Sequence, residues 1–127
     1  MGKEYEMTQQ LQQNNTEMQE CIRNCQDCHT ICLGIIAYCL QAGGDHAEAT
    51  HIRRLIDCAE ICQTSANFMI RGSAFHAETC RACATICEQC ATECENFGED
   101  AQMQTCAQVC HQCADTCRQM AGMTMAA

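Results

Sequence analysis

Residues 80–94 read Cys-Arg-Ala-Cys-Ala-Thr-Ile-Cys-Glu-Gln-Cys-Ala-Thr-Glu-Cys, so Cys80, Cys83, Cys87, Cys90 and Cys94 follow one another at steps of three and four. That step is the period of one face of an α-helix. The other eleven cysteines keep the same rhythm: Cys21, Cys25, Cys28, Cys32 and Cys39; Cys58 and Cys62; Cys106, Cys110, Cys113 and Cys117. A face that repeats in this way is normally the apolar stripe that packs helix against helix. Thiols stand here where most bundles place leucine, so the core itself is the expected functional site.

Leu, Ile, Val and Phe together supply only 17 of 127 residues. That share lies below the roughly 20% under which a strongly charged chain is expected to stay disordered. Cysteine must supply the missing burial. Each thiol removes less apolar area from water than leucine would, so the fold is expected to gain stability from something bound inside it.

Outward from the cysteine runs, the chain divides at Gly43-Gly44, Gly72 and Gly98, and no proline interrupts the stretches between. Four helices are predicted: 15–42, capped from Asn14, Asn15 or Thr16; 46–71, capped by Asp45; 74–96, capped by Ser73; and a fourth starting around Asp100 and reaching 120. Residues 1–14 form a separate N-terminal segment, a further helical turn or a mobile stretch, and 121–127 a frayed tail. The short connections favour antiparallel neighbours, giving an all-α, up-down-up-down four-helix bundle of one domain with a cysteine-lined core. In the cysteine register, Met18 extends the first helix's stripe; the second reads His51, Leu55, Cys58, Cys62, Ser65, Met69; the third begins at His76 and ends at Phe97; the fourth runs from Met103 to Met120. Antiparallel packing gathers Met18, Met69, His76 and Met120 at one end and His51, Met103 and Phe97 at the other.

The formal charge of −9, with seven basic residues against sixteen acidic, argues against nucleic acid and anionic membrane surfaces as partners. The first residues lack an apolar signal core, a twin-arginine pair and a myristoylation pattern, and no long apolar run follows. A cytosolic protein with reduced thiols is the expectation.

Seven Cys-x-x-x-Cys pairs recur: Cys21/Cys25, Cys28/Cys32, Cys58/Cys62, Cys83/Cys87, Cys90/Cys94, Cys106/Cys110 and Cys113/Cys117. Each sets two sulfurs one turn apart on one helix face, within reach of one metal ion. Soft thiolates select Cu(I), zinc or iron–sulfur clusters. Cu(I) is satisfied by two sulfurs of one helix, whereas zinc wants a tetrahedron of four. If each thiolate bridges two Cu(I) ions and each ion takes two thiolates, metal and thiolate match at roughly one to one and the charges cancel. Zn(II) with four thiolates keeps a double negative charge, costly to stack where the core register holds no Lys or Arg. Copper is the preferred cargo; a thiol-redox buffer and a zinc or mixed-metal buffer are the alternatives.

Other readings are weaker. Disulfides at i, i+4 within a helix are strained and need an oxidising compartment. The bacterial ferredoxin run uses loop cysteines and a Cys-Pro step, absent here. Cys25-Gln-Asp-Cys28-His29 matches the haem c attachment pattern and Cys87-Glu-Gln-Cys90 a redox pair, but a cysteine ladder produces both by chance. His29, His46 and His111 fall off the stripe. Asp57, Glu60, Glu88 and Asp115 also lie off it, as solvated helix surface, and no enzyme is expected.

From Met18 to Met120, the seven pairs on four antiparallel helices resemble the cysteine-rich four-helix-bundle copper storage proteins of bacteria. The resemblance implies a column of Cu(I) ions held by all sixteen cysteines, and, in the absence of a signal peptide, the cytosolic type, a homotetramer. By the same resemblance copper loads through one open end lined by soft or polar side chains, here His76, Met18, Met69 and Met120, with His51 and Met103 as further candidate ligands. The second helix departs from the pattern, with a single Cys pair flanked by His51, Leu55, Ser65 and Met69. The copper donor or acceptor is left unnamed.

Overall fold

With no proline and long runs of Ala, Gln, Glu and Met, four stretches of the chain have nothing to interrupt an i→i−4 hydrogen-bond ladder. In the structure, a computed structural model that describes the backbone of residues 2–122 and the side chains of 16–122, each is an α-helix. They are α1 (Gly2–Ala42), α2 (Ala49–Ile70), α3 (His76–Glu95) and α4 (Ala101–Met120), with a 3-10 turn at Gly44–Ala47 between the first two.

The boundaries refine the sequence expectation. Helix α1 begins at Gly2 rather than near 15, so positions 14–16 lie inside the helix and not at its start. Nothing in this Gln- and Glu-rich stretch breaks a helix. At 1.5 Å per residue α1 is about 60 Å long against about 30 Å for the others, and its first part runs past the end of the bundle. Glu48, not Asp45, caps α2: its carboxylate accepts from the backbone N–H of Thr50 and His51, while Asp45 sits in the 3-10 turn. The cap position of α3 falls on Phe75, and Ser73 Oγ accepts from Phe75 N one step upstream. Asp100 caps α4, its Oδ1 accepting from Gln102 N and Met103 N. At the end of α2, Gly72 takes φ 66°, and the bonds Ser73 N→Phe68 O and Gly72 N→Met69 O close the helix; the left-handed turn is what glycine permits there. Of the tail, Ala121 and Gly122 form a turn and 123–127 lie outside the described residues.

Each helix packs on two others, α1 on α2, α2 on α3, α3 on α4 and α4 on α1, which closes the four into an up-down-up-down bundle. All sixteen cysteines are buried along its axis, with Leu55, Met69 and Met103 the largest side chains among them. Ala84 and Ala91 on α3 and Ala107 and Ala114 on α4 flank the thiol line at steps of seven, all buried. Their small side chains let these two helices approach closely enough for short thiol side chains to meet. Among the described residues no helix is long and apolar enough to cross a membrane.

Candidate metal centre

The i, i+4 spacing does what helical geometry requires: Cys28 and Cys32 sulfurs lie 4.0 Å apart, and Cys83 and Cys87 3.7 Å. Closing the bundle adds comparable approaches between helices, including Cys62 to Cys87 at 3.4 Å, Cys25 to Cys117 at 3.5 Å, Cys28 to Cys110 at 3.7 Å and Cys28 to Cys58 at 3.8 Å. All sixteen cysteines are free thiols.

These approaches resolve into five groups whose sulfurs lie mutually within 4.8 Å. In order along the axis they are Cys21/Cys80/Cys117, Cys25/Cys83/Cys113/Cys117, Cys28/Cys62/Cys87/Cys113, Cys28/Cys32/Cys58/Cys110 and Cys32/Cys90/Cys106/Cys110. Successive groups share a member: Cys117, then Cys113, then Cys28, then Cys32 and Cys110. A shared sulfur is placed to bridge metal ions in neighbouring groups, so the five read as one continuous column rather than separate cages. Helix α2 contributes only to the two central groups, through Cys62 and Cys58. The scarcity of cysteine on this helix is therefore absorbed at the ends, where α1, α3 and α4 carry the column alone.

The two ends differ. At one, Met69 Sδ lies 3.8 Å and Ser65 Oγ 3.3 Å from Cys80 Sγ. Met18 and Met120 pack half-buried against the core there, while His76 Nδ1 lies 3.0 Å from Ser73 O and its ring is part-exposed at the start of α3. At the other end, Cys39 Sγ meets His51 Nε2 at 3.4 Å and Met103 Sδ at 3.7 Å, with His51 2% exposed and Met103 fully buried. The sequence pairing of His51 with Met103 and Phe97 is found as expected: the Phe97 ring lies 4.7 Å from that of His51 and 4.3 Å from that of His46. Sequence reasoning set His46 off the stripe, used Asp100 only as the start of the fourth helix and passed over Tyr38, yet the three fasten this end: Tyr38 OH donates to Asp100 Oδ2 at 2.6 Å, and His46 Nε2 lies 3.0 Å from the same oxygen. No spacing along the chain brings positions 38, 46 and 100 together; only the closed bundle does. Of the other histidines, His29 Nδ1 contacts Ala59 O at 2.7 Å and His111 stands between Glu88 and Glu95 at 3.4 Å on the surface, away from the column.

Protonation follows from a dry core with no cation in it. Burial pushes the Cys39 thiol up to about 11. Cys80 is pulled down by bonding to Cys117, but Cys21 and burial outweigh that and carry it up to about 11. Within the column, sulfurs that accept S–H bonds are held low and those that donate are held high. Cys25 is brought down to about 6 by Cys113, Cys117 and Cys21, while Cys110 is driven far up, first by Cys106. Burial lowers the His51 imidazole below its usual range, keeping the ring neutral and able to ligate.

Helices that enclose a continuous thiol column of this kind define a class, that of bundle proteins holding many soft metal ions in their core. Over residues 14–122 the sequence matches the family described as copper storage protein, and the chain belongs to that family. It is similar to a protein of known structure from Nitrosospira multiformis, with 47% identity, 87% of this chain and 99% of that one covered, and a TM-score of 0.81. It is similar to the Cu(I)-bound copper storage protein BsCsp3, at 37% identity over 83% of this chain and 98% of that one, TM-score 0.76. A cytosolic copper storage protein from Streptomyces lividans, solved with five coppers, aligns at 26% identity over 87% and 96% of the two chains, TM-score 0.73. A cysteine-rich protein from Bacillus subtilis, YhjQ, is 39% identical over 66 residues, and the match spans 61% of its length and 52% of this chain.

Proposed function

We infer that this protein stores Cu(I), held by cysteine thiolates inside the bundle. The observation that carries the reading is the sharing of sulfurs between successive groups along the axis. Shared thiolates suit Cu(I), which accepts two or three sulfurs and lets each sulfur serve two ions. They suit zinc poorly, since a column of four-sulfur Zn(II) sites would leave net negative charge in a core without Lys or Arg. On this reading all sixteen cysteines are ligands, capacity approaches roughly one ion per cysteine, and Cys39, His51 and Met103 form a mixed nitrogen–sulfur site finishing one end. Met69, Met18 and Met120 finish the other end as soft rim groups, and His76 is a further rim group, free to turn toward metal only by leaving Ser73 O.

The reading places the protein in the cytosol, as the Streptomyces lividans relative is described, and keeps it a binding protein rather than a catalyst. It further takes the assembly as a homotetramer. Leu33 and Leu40 are 50% and 57% exposed, and they fall with half-buried Ile36 along one stripe of α1, beside 41%-exposed Ile56 on α2; sedimentation of the pure protein distinguishes four chains from one.

The test is anaerobic titration of the fully reduced protein with Cu(I) against a chromophoric chelator, following helical circular dichroism in the same samples. Retention of roughly one copper per cysteine with helicity intact is the expected result. Saturation at a few ions, or immediate loss of copper to the chelator, would return the thiol-redox or zinc readings.

A further inference from the structure

The group Cys28/Cys32/Cys58/Cys110, drawn from α1, α2 and α4, has the shape of a regular tetrahedron before any metal enters it. Five of its six sulfur separations are 4.0 Å (Cys28–Cys32), 3.8 Å (Cys28–Cys58), 3.7 Å (Cys28–Cys110), 3.9 Å (Cys32–Cys110) and 4.0 Å (Cys58–Cys110), and the sixth lies within 4.8 Å. A tetrahedron's edge is about 1.63 times the distance from centre to corner, so a Zn–S bond of about 2.3 Å asks for sulfurs about 3.8 Å apart. The thiols already stand at that spacing. Cys25/Cys83/Cys113/Cys117 is built alike, with Cys25–Cys117 at 3.5 Å, Cys25–Cys113 at 3.7 Å and Cys83–Cys113 at 3.9 Å. A two-coordinate ion would instead set its sulfurs two bond lengths apart.

Sharing limits how many such tetrahedra can fill. Four of the five groups hold four sulfurs; Cys113 belongs to two of them, Cys28 to two, and Cys32 and Cys110 both belong to one overlapping pair. Any three of the four groups therefore include two with a common sulfur, and only two ions can each have four sulfurs of their own. When Cys28/Cys32/Cys58/Cys110 and Cys25/Cys83/Cys113/Cys117 are the two, Cys62 and Cys87 remain between them as neutral thiols. Cys87 Sγ lies 3.7 Å from Cys58 Sγ, and Cys62 Sγ 3.8 Å from both Cys83 and Cys113, each placed to donate its S–H to a metal-bound thiolate. Those bonds ease the double negative charge that a buried four-thiolate Zn(II) site carries, which a column of adjoining sites would lack.

Independently of the copper reading, we propose that this core is also a receptor for divalent thiophilic ions of the Zn(II) class, and that it takes two per chain, at Cys28/Cys32/Cys58/Cys110 and at Cys25/Cys83/Cys113/Cys117. Each ion bonds four sulfurs, whose four protons leave to solvent, and neither metal nor sulfur changes oxidation state. Counting the sixteen thiols by fours would give four ions; the connectivity of the sulfurs gives two.

The experiment titrates reduced, metal-free protein with Co(II) under anaerobic conditions, reading the visible absorption of tetrahedral cobalt tetrathiolate and helical circular dichroism together, and then bleaches the colour with Zn(II). The unmodified chain should reach its end point at two ions. Cys113→Ser leaves only the two groups that share Cys32 and Cys110, and Cys110→Ser only the two that share Cys113, so each should halve the end point to one. Cys58→Ser leaves two groups without a common sulfur and should keep two, as should Cys39→Ser, which touches no group; Cys110→Ser/Cys113→Ser should abolish the tetrathiolate colour. The proposal is overturned by the absence of that colour in the unmodified chain, by an end point of four ions, or by a drop in Cys39→Ser equal to that in Cys113→Ser. Cys110→Ser and Cys113→Ser test the same count through different groups, so loss of helicity in one leaves the other decisive, and the end point of the unmodified chain stands without either. No copper enters this titration: failure of the storage reading shows in the Cu(I) end point, and failure of the divalent sites shows here.

Discussion

Loading the column must expel protons, and their number per ion distinguishes the possible cargoes. Each Cu(I) that replaces a thiol proton leaves the core's charge unchanged, so the count cannot exceed one per ion at a one-to-one ratio. Cys25, Cys28, Cys58, Cys83 and Cys106 are held low by S–H bonds from their neighbours, which are held high in turn. A column filled one to one is therefore expected to release up to about one proton per Cu(I). Zn(II) bound by four thiols would release up to about four per ion. The two limits differ about fourfold. The assay is anaerobic pH-stat titration near pH 7.5, adding metal in aliquots to reduced protein in weak buffer. Because Cys39 and Cys80 stand at about 11, copper at the two ends must still displace a proton at pH 9, and affinity there should rise with pH throughout this range. A count near zero, or one near four per copper, would refute the argument that neutrality sets the ratio.

Three further outcomes follow. Cys113 belongs to two sulfur groups and Cys39 to none, so Cys113→Ala should lower Cu(I) capacity by about two ions and Cys39→Ala by about one, read by copper analysis after gel filtration. Leu55 is fully buried in the thiol register of α2; Leu55→Cys should cost the metal-free protein roughly 1–2 kcal/mol in urea unfolding while raising capacity by about one ion. His51 has its folded pKa below the unfolded value of about 6.5, so its contribution to stability is present above that pH and is lost as pH falls toward the folded value. Urea unfolding of metal-free protein at pH 7.5 and 5.5 should therefore show a smaller acid loss in His51→Leu than in the unmodified chain, and an equal loss would show that His51 does not titrate in this way.

The fold was legible because one residue type marks the inward face of every helix. Steps of three and four from Cys21 to Cys117 gave the number of helices and their facing sides, and the glycines at 43–44, 72 and 98 gave the turns. The helix starts were less readable, since capping depends on which side chain can reach a free N–H. Glu48 does so for α2 where Asp45 was favoured, because the 3-10 turn moves the start of that helix three residues onward, and the start of α3 falls on Phe75 rather than Ser73. The start of α1 was missed for the opposite reason: nothing in residues 2–14 opposes a helix, but with no cysteine stripe there the reading stayed open between a helical turn and a mobile stretch. At the site, the cysteines and the End-to-end pairing of His51 with Met103 came from periodicity alone. The fastening of Tyr38, His46 and Asp100 did not, since three connections must close before those residues meet.

A thiol core also explains how a bundle so poor in leucine can be both folded and fillable. Sulfurs 3.4–4.0 Å apart leave the metal-free interior packed, with each thiol offered a neighbour as partial hydrogen-bond partner. Each exchange of an S–H proton for Cu(I) leaves the charge of that interior unchanged, so the exchange itself requires no buried counter-charge from elsewhere in the chain. The same logic assigns the acidic residues to the outside. Carboxylates inside the column would have to be neutralised by metal or proton, and among the described residues none is buried there.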